Sequence, residues 1–166
     1  MSQKSLQTIR ANYILKGNYM KYFIYYSNSG NGDFLASLYE KAGYQIVKVD
    51  TEKPIGKMGF FKMIKLGGEA GMNKCPKIKE IAAKWTENDE IIIGSPIWNN
   101  RLSTPINTLL RDYKFNKKTT KFVLYPAGSS GKNAIKRLQK MGFIQTPVVV
   151  VAPLNNQEAT KKALEL

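Results

Sequence analysis

The sequence of 166 residues contains no histidine. Nucleophile systems of the Ser-His-Asp and Cys-His type, histidine-based zinc sites and imidazole proton switches are therefore excluded, because each needs an imidazole nitrogen. There is one cysteine, Cys75, so the chain can form neither an internal disulfide nor a Cys-x-x-Cys redox pair. A single cysteine is typical of proteins in a reducing compartment, and we expect a cytoplasmic location.

Long apolar stretches are also missing from the chain. No run of 18 apolar residues occurs, so the sequence predicts no membrane span. Residues 1–19 lack the apolar stretch of a secretory signal, which agrees with the cytoplasmic expectation.

Acidic residues are scarce, with 12 Asp and Glu against 26 Lys and Arg, for a formal net charge of +14. Such a surplus attracts anions, and the candidates are a nucleic acid, an anionic membrane face, a phosphorylated ligand and an acidic protein partner. A solvated surface rich in lysine would account for the same composition. The charge alone leaves these alternatives open.

The character of the chain changes at Met20. Residues 1–19 carry three basic residues, no acidic ones and only a weak helical pattern, whereas an aromatic and β-branched run of strand length follows at once. We therefore expect residues 20–166 to form one folded domain. Residues 1–19 would be an N-terminal extension, with three alternatives open: a disordered segment, an upstream translated segment or an artificial addition. With 43% hydrophobic and 23% charged residues, the composition is that of an ordinary globular protein.

Five segments of strand length alternate with helical patterns in this domain. The predicted strands are KYFIYY, YQIVKVD, DEIIIGSPI, TKFVLYPA and PVVVVAP, at residues 21–26, 44–50, 89–97, 120–127 and 147–153. The predicted helices occupy residues 33–43, 57–72, 104–113, 131–143 and 155–166, and residues 98–103 are predicted as a loop. Alternation without hairpin turns predicts parallel strands joined by right-handed crossovers, which gives a three-layer α/β sandwich with a five-stranded parallel sheet.

The loop SNSGNG at residues 27–32 is the first candidate binding element, because ligands of such sheets bind beyond the carboxyl ends of the strands. Glycines let successive N–H groups point inward, short polar side chains add donors, and the following helix start is partly positive. The loop holds no Lys or Arg, so its neutral donors suit a phosphate monoester better than a triphosphate with magnesium. The alternative is an ordinary polar turn. A dinucleotide fingerprint would need glycine where Leu35 stands, and the P-loop pattern is also absent.

Two further loops are expected at the same end of the sheet. Trp98 follows the third strand among polar residues, where its indole could stack on a flat ring or simply cover the end of the sheet. The loop AGSSG at residues 127–131 would let backbone groups approach the edge of a ligand. Trp85, by contrast, is predicted to be a packing residue.

Together these motifs resemble the flavodoxin family over nearly all of residues 20–166. YYSNSGNGD is similar to the family's phosphate loop, and IIIGSPIWNNRLSTPI resembles its third-strand segment, in which an aromatic residue follows Ser-Pro and a proline comes later. The resemblance implies the strand order 2-1-3-4-5 and FMN as the cofactor. It implies that the cofactor-binding residues are Ser27, Asn28, Ser29, Gly30, Asn31, Gly32, Ser95, Pro96, Ile97, Trp98, Asn99, Ala127, Gly128, Ser129 and Ser130.

The resemblance points to electron transfer with a redox partner protein or a small-molecule acceptor, with the flavin as the redox group and no catalytic side chain. An FMN-dependent NAD(P)H or quinone oxidoreductase is the alternative, because the third loop has no aromatic residue to cover the second ring face and the positive charge would attract anionic substrates. A basic nucleic-acid-binding module without flavin is a weaker alternative, since no recognised RNA-binding motif is present.

Overall fold

A computed structural model of the chain describes residues 19–53, 65, 68, 69, 72 and 74–166. The predicted extension up to residue 18 and most of the predicted helix 57–72 lie outside the described residues; within that helix, Lys65, Gly68 and Glu69 have helical backbone. The strands are β1 (Lys21–Tyr25), β2 (Gln45–Lys48), β3 (Glu90–Trp98), β4 (Arg101–Leu102), β5 (Lys121–Pro126) and β6 (Val148–Val149). The helices are α1 (Asn31–Lys41), α2 (Thr104–Asp112), α3 (Lys132–Lys140) and α4 (Gln157–Leu164).

Five of the strands form a parallel sheet in the order β2-β1-β3-β5-β6. The apolar strand β3 lies at its centre, where Ile93 is paired with Ile24 on one side and with Phe122 on the other. Every residue of β3 except Glu90 is buried, as expected of a strand covered on both faces. Counted along the parallel strands alone, this is the predicted order 2-1-3-4-5, so the predicted α/β fold is confirmed.

The two faces of the sheet pack against different helices. Along β1, Tyr22 and Ile24 point to one core together with residues of α2 and α3, while Phe23 and Tyr25 point to a second core with residues of α1. This alternation is the period of two that a strand imposes on its side chains. Helices therefore cover both faces, which produces the three layers.

A sixth strand lies inside the segment 98–103, which we had predicted as a loop. Strand β4 pairs antiparallel with the end of β3, with Trp98 opposite Arg101. The turn between them is Asn99-Asn100, whose φ angles of 49° and 61° are both positive, as in a type I′ hairpin turn. The prediction of no hairpin was wrong here, because two residue pairs are too few to produce a visible alternation in the sequence.

The last strand is much shorter than predicted. Only Val148 and Val149 form β6, although the sequence predicted a strand over residues 147–153. The chain still bonds to β5 beyond this point, since the N–H of Val150 donates to the carbonyl of Leu124 at 2.9 Å. At Ala152 the backbone turns to a φ of 43°, which ends the extended conformation.

No helix in the described part of the chain has the length and apolar character needed to cross a membrane.

Candidate functional site

A cavity of about 250 Å³ opens at the carboxyl ends of β1, β3 and β5. It is formed by the three loops that the sequence singled out, together with one side chain from β5. The residues that line it are Asn28, Ser29, Asn31, Pro96, Ile97, Trp98, Asn99, Tyr125, Ala127, Gly128 and Ser129. Ten of the fifteen predicted binding residues are therefore brought together, and every lining side chain is electrically neutral.

The first loop presents hydrogen-bond donors that have no partner among the described residues. Within the described residues, the backbone N–H groups from Asn28 to Asn31 have no acceptor. The side-chain Nδ2 of Asn28 is buried and also lacks a partner there. A buried donor without an acceptor costs about 1–3 kcal/mol, and the start of α1 adds partial positive charge. These donors fit an anionic oxygen of a ligand.

Ser27 and Gly32 support the first loop from below and do not line the cavity. The N–H of Gly32 donates to Ser27 Oγ at 3.2 Å, across the base of the loop. A Cβ on Gly32 would lie 2.8 Å from atoms of Ser27, Tyr25 and Tyr125, which is closer than packed atoms tolerate. Glycine is therefore required at this position by packing.

Gly30 and Asn31 hold the outer side of the same loop. Gly30 precedes α1 in the left-handed conformation with a φ of 85°, which favours glycine. Asn31 donates from Nδ2 to Ser29 Oγ at 3.2 Å and accepts the N–H of Leu154 on Oδ1 at 3.0 Å. The segment after β6 is thus tied to the first loop, a contact that the sequence did not predict.

Trp98 both borders the cavity and belongs to the core. Its side chain is only 8% exposed, and its ring meets the ring of Tyr26 edge-on, with centroids 5.8 Å apart at 89°. Trp98 therefore covers the end of the sheet, and its small exposed part borders the cavity; stacking on a flat ring stays a prediction. Trp85 stacks on Phe115 with centroids 5.3 Å apart, which confirms its predicted packing role.

Ser95 lies beneath the second loop and is fully buried. Its Oγ accepts the N–H of Ser103 at 3.2 Å and lies 3.3 Å from Ser103 Oγ. The two serines therefore hold together the two sides of the β3–β4 hairpin. Ser95 is a predicted binding residue that the structure places outside the cavity lining.

Asn100 joins the second loop to the third, and the sequence did not single it out as a site residue. Its Oδ1 accepts the N–H of Gly131 at 3.0 Å and lies 3.5 Å from Ser130 Oγ, while its carbonyl accepts the N–H of Ala134 at 2.9 Å. These bonds satisfy N–H groups at the start of α3 that lack partners within the helix. Ser130, another predicted binding residue, faces Asn100 and does not line the cavity.

Tyr125 is the cavity residue that the sequence reasoning missed. It is the second-last residue of β5, and its phenol donates a hydrogen bond to the carbonyl of Tyr26. Burial raises the pKa of Tyr125 well above its ordinary value, so the phenol is neutral. Its position just before the third loop was the feature of the sequence that pointed to a place near the cavity. The sequence of a strand buried on both faces, however, does not show which of its side chains border a ligand.

A carboxylate lies near the first loop without lining the cavity. Asp33 Oδ1, in the first turn of α1, accepts hydrogen bonds from Lys48 Nζ at 2.6 Å and from Tyr25 Oη at 2.8 Å. Burial acts to raise the pKa of Asp33, but the bonds from Lys48 and Tyr25 prevail and hold it below its ordinary value. The positive charge of Lys48 therefore offsets the negative charge of Asp33, which lies close to the donors of the first loop.

The geometry combines unpartnered donors on the first loop with a cavity that two aromatic side chains border. Donors on the first loop suit a phosphate oxygen, and Trp98 and Tyr125 suit a flat ring.

Comparison with known proteins agrees with this arrangement. A family model described as flavodoxin matches residues 21–165. No curated protein matches the chain significantly. Among solved structures, a flavoprotein from Lactobacillus acidophilus in complex with FMN superposes with a TM-score of 0.60 at 19% identity, covering 83% of this chain and 97% of that one.

Two structures described as flavoproteins from Bacteroides species are also similar. The one from Bacteroides eggerthii has a TM-score of 0.54 at 18% identity and covers 81% of this chain and 88% of that one. The one from Bacteroides uniformis has a TM-score of 0.54 at 16% identity and covers 87% of this chain and 99% of that one. At such identities the likeness shows a shared fold.

Proposed function

The chain belongs to the flavodoxin family, and we propose that it binds FMN in the cavity described above and acts in electron transfer. The observation that carries the proposal is the set of donors on the first loop, above all Asn28 Nδ2, that have no partner among the described residues and lie beside a cavity bordered by Trp98 and Tyr125. A solved protein of the same fold is described as a flavoprotein in complex with FMN, which supports the choice of ligand.

The first loop would hold the phosphate of FMN. Its backbone N–H groups and the amide of Asn28 are donors of the kind that a phosphate monoester accepts, and the start of α1 favours the negative charge. No cation lines the described cavity, so a compact monoester suits it better than a longer phosphate chain. Ser27 and Gly32 would keep the loop in shape.

The second and third loops would border the flavin ring. Trp98 and Tyr125 provide aromatic surface, and Ala127 and Gly128 also line the cavity. When bound, FMN supplies the redox chemistry, while the protein binds the ring, orients it and limits access of water. Tyr125 keeps its proton because of burial and its bond to the Tyr26 carbonyl, so we expect no lining side chain to act as an acid or base.

A second candidate function is an FMN-dependent NAD(P)H or quinone oxidoreductase. The rim formed by Ala127 and Gly128 is exposed and carries no large side chain, and the space around a Cβ on Gly128 is open to 4 Å. A flat substrate could approach the flavin from that side. The same exposed rim would equally serve electron exchange with a protein partner.

Flavin binding is tested by titrating the purified chain with FMN and with riboflavin, while absorbance and flavin fluorescence are recorded. We expect saturable uptake of FMN with shifted absorbance bands, and weaker uptake of riboflavin because it lacks the phosphate. Equal affinity for the two would contradict the phosphate seat, and no uptake of either would overturn the proposed function.

The two functions are separated by mixing the reduced, FMN-loaded protein with a quinone or the oxidised form with NAD(P)H in a stopped-flow instrument. Turnover with saturation kinetics would support the oxidoreductase. Reaction with protein electron carriers alone would support electron transfer.

The weaker alternative of a nucleic-acid-binding module is untested, and a cytoplasmic location stays a prediction from the sequence. A salt-sensitive nucleic-acid complex in a chain that takes up no flavin would favour the former. The cytoplasmic prediction depends on the single cysteine and is checked by cell fractionation.

A further inference from the structure

More than half of the net positive charge lies in one segment of the chain. Between Asp112 and Glu158 the sequence has no acidic residue and eight basic ones, of a total net charge of +14. These eight are Lys114, Lys117, Lys118, Lys121, Lys132, Lys136, Arg137 and Lys140. In the structure they lie on α3 and on the stretch that leads from α2 into β5.

Three of these residues form an oblique row along one side of α3. Lys132, Lys136 and Lys140 follow one another at intervals of four residues and are all exposed, whereas Ala134 and Leu138 on the opposite side are buried. Four residues advance a helix by about 6 Å, so the row is about 12 Å long. Within the described residues none of the three lysines is in an ion pair. We call this set the α3 lysine row.

Two more lysines extend the row at its far end. The carbonyl of Lys117 accepts the N–H of Ile144 at 3.1 Å, and the carbonyl of Lys118 accepts Gln145 Nε2 at 2.6 Å. Both lysines are exposed. A backbone hydrogen bond and one from a side-chain amide thus hold two further cations beside the segment that follows α3, which lengthens the positive surface.

The near end of the row begins beside the cavity. Lys132 is the first residue of α3, and it follows the loop whose Ala127, Gly128 and Ser129 line the cavity. Asn100 holds the start of α3 against the second loop through the N–H of Gly131. A partner seated on the row would therefore also reach the exposed rim of the cavity.

We propose that the α3 lysine row, with Lys117 and Lys118, is the docking surface for an acidic protein that exchanges electrons with the flavin. The proposal rests on the proposed function, because a redox partner must dock close to the flavin for an electron to pass between them. Cations on one side of an active cavity orient a partner of opposite charge and raise its association rate.

The partner transfers one electron in each encounter. A reduced acidic carrier loses one electron and is released oxidised, and no covalent bond forms or breaks between the proteins. Two encounters supply the two electrons needed for full reduction of the flavin, and solvent supplies two protons. The reverse transfer, from reduced flavin to an oxidised acidic carrier, balances in the same way.

An acidic protein fits this surface better than a nucleic acid does. Single-stranded nucleic acids bind to platforms of exposed aromatic rings, but the aromatic residues next to the row, Phe115 and Phe143, are half-buried and buried. Arginine, the usual reader of base edges, occurs once on α3, as the half-buried Arg137. A row of exposed lysines can form ion pairs with carboxylates that are spaced along the surface of an acidic protein.

The test uses the FMN-loaded protein and a reduced plant-type [2Fe–2S] ferredoxin as the acidic probe. The row variant carries K132Q, K136Q and K140Q, and the matched control variant carries K41Q, K77Q and K84Q, three exposed lysines elsewhere. Both lose the same charge, and FMN affinity is measured first in each. At low ionic strength we expect the second-order rate of flavin reduction to fall about 10-fold in the row variant and less than about 2-fold in the control.

High salt should remove the difference between the two variants, because it screens exposed charges. Equal rates in the row and control variants at low salt would overturn the docking surface. Calorimetry of the flavin-free chain with the same ferredoxin distinguishes failure of the docking surface from failure of the proposed function. If the chain takes up no flavin, the proposed function fails. Ferredoxin binding that is lost in the row variant would still support the docking surface. Binding of duplex DNA, RNA or anionic vesicles that is lost in the row variant, with ferredoxin binding unchanged, would also overturn the proposal.

Discussion

Asn100 Oδ1 accepts a hydrogen bond from the backbone N–H of Gly131 at 3.0 Å. This bond connects the type I′ turn of the β3–β4 hairpin to the start of α3, and the Asn100 carbonyl adds a second bond from the N–H of Ala134. Two of the three cavity loops are therefore held at a set separation by one residue.

Replacing Asn100 with glycine should loosen the link without straining the turn, because glycine adopts a positive φ freely. We expect the free energy of unfolding to fall by about 1 kcal/mol and FMN affinity to weaken about 3- to 10-fold. Asn100→Asp keeps the acceptor oxygen and is the control that should retain binding. Chemical denaturation and FMN titration measure both effects, and unchanged FMN affinity in Asn100→Gly would contradict the positioning role.

Asn28→Ala removes the buried donor that has no acceptor within the described residues. We expect FMN binding to weaken about 10-fold, by ~1.4 kcal/mol, with little change in riboflavin binding, because the amide is proposed to face the phosphate. The free energy of unfolding of the flavin-free protein should stay the same or rise, since a desolvated polar group has been removed. Titrations with the two flavins decide the matter: equal losses for both would place Asn28 away from the phosphate.

Gly32→Ala should destabilise the fold. Its Cβ would lie 2.8 Å from Ser27, Tyr25 and Tyr125, and the resulting overpacking typically costs about 1–3 kcal/mol. Gly128→Ala is the matched control, because a Cβ there meets no atom within 4 Å. Thermal unfolding of the two flavin-free variants should show a lower midpoint for Gly32→Ala alone. Similar unfolding midpoints would mean that the first loop can shift to accommodate the Cβ without a loss of stability.

Trp98→Ala should have a large structural effect as well as an effect on binding. Its side chain is 8% exposed, so truncation should cost about 3–5 kcal/mol of unfolding free energy. Trp98→Phe keeps much of the contact with Tyr26, and we expect it to fold while binding FMN more weakly and with a changed absorbance spectrum. Trp85→Phe, which alters a stack outside the cavity, should leave FMN binding unchanged. Equal spectra and affinities in Trp98→Phe and the unmodified protein would remove Trp98 from the ring site.

Asp89 should make the fold sensitive to acid. Its carboxylate accepts the N–H of Met20 at 2.7 Å and both the N–H and the hydroxyl of Thr86 at 2.6 and 3.0 Å. Burial acts to raise the pKa of Asp89, but these hydrogen bonds prevail and lower it. A lowered pKa in the folded state contributes stability above the unfolded-state value of about 3.9, and this stability is lost as the pH falls through the folded-state pKa.

Asp89→Asn should therefore be less stable than the unmodified protein by about 1–3 kcal/mol at pH 7, and the difference should shrink towards zero well below pH 4. Glu40→Gln, at an exposed position outside the ion pairs of the described residues, is the control and should change stability little at either pH. Urea denaturation across this pH range provides the measurement. A difference that stays constant with pH would show that the Asp89 charge does not stabilise the fold.

The sequence was sufficient for the order of the five parallel strands and for the three loops that follow them. Strand and helix patterns, glycines between them and the Ser-Pro-x-Trp segment are local signals, because they arise from periodicity and turn preferences within a few residues. The parallel sheet follows from the helical crossovers, and the loops after its strands then meet at one edge.

Local signals did not predict which loop residues line the cavity and which support it. Ser95 and Ser130, expected among the binding residues, contact Ser103 and Asn100 and are not among the residues that line the cavity, while Tyr125 is. These places depend on bonds between residues 8, 30 and 99 positions apart in the chain, the last between Tyr125 and Tyr26. Such bonds form after distant segments have packed, so their partners depend on the folded arrangement and leave no pattern among neighbouring residues.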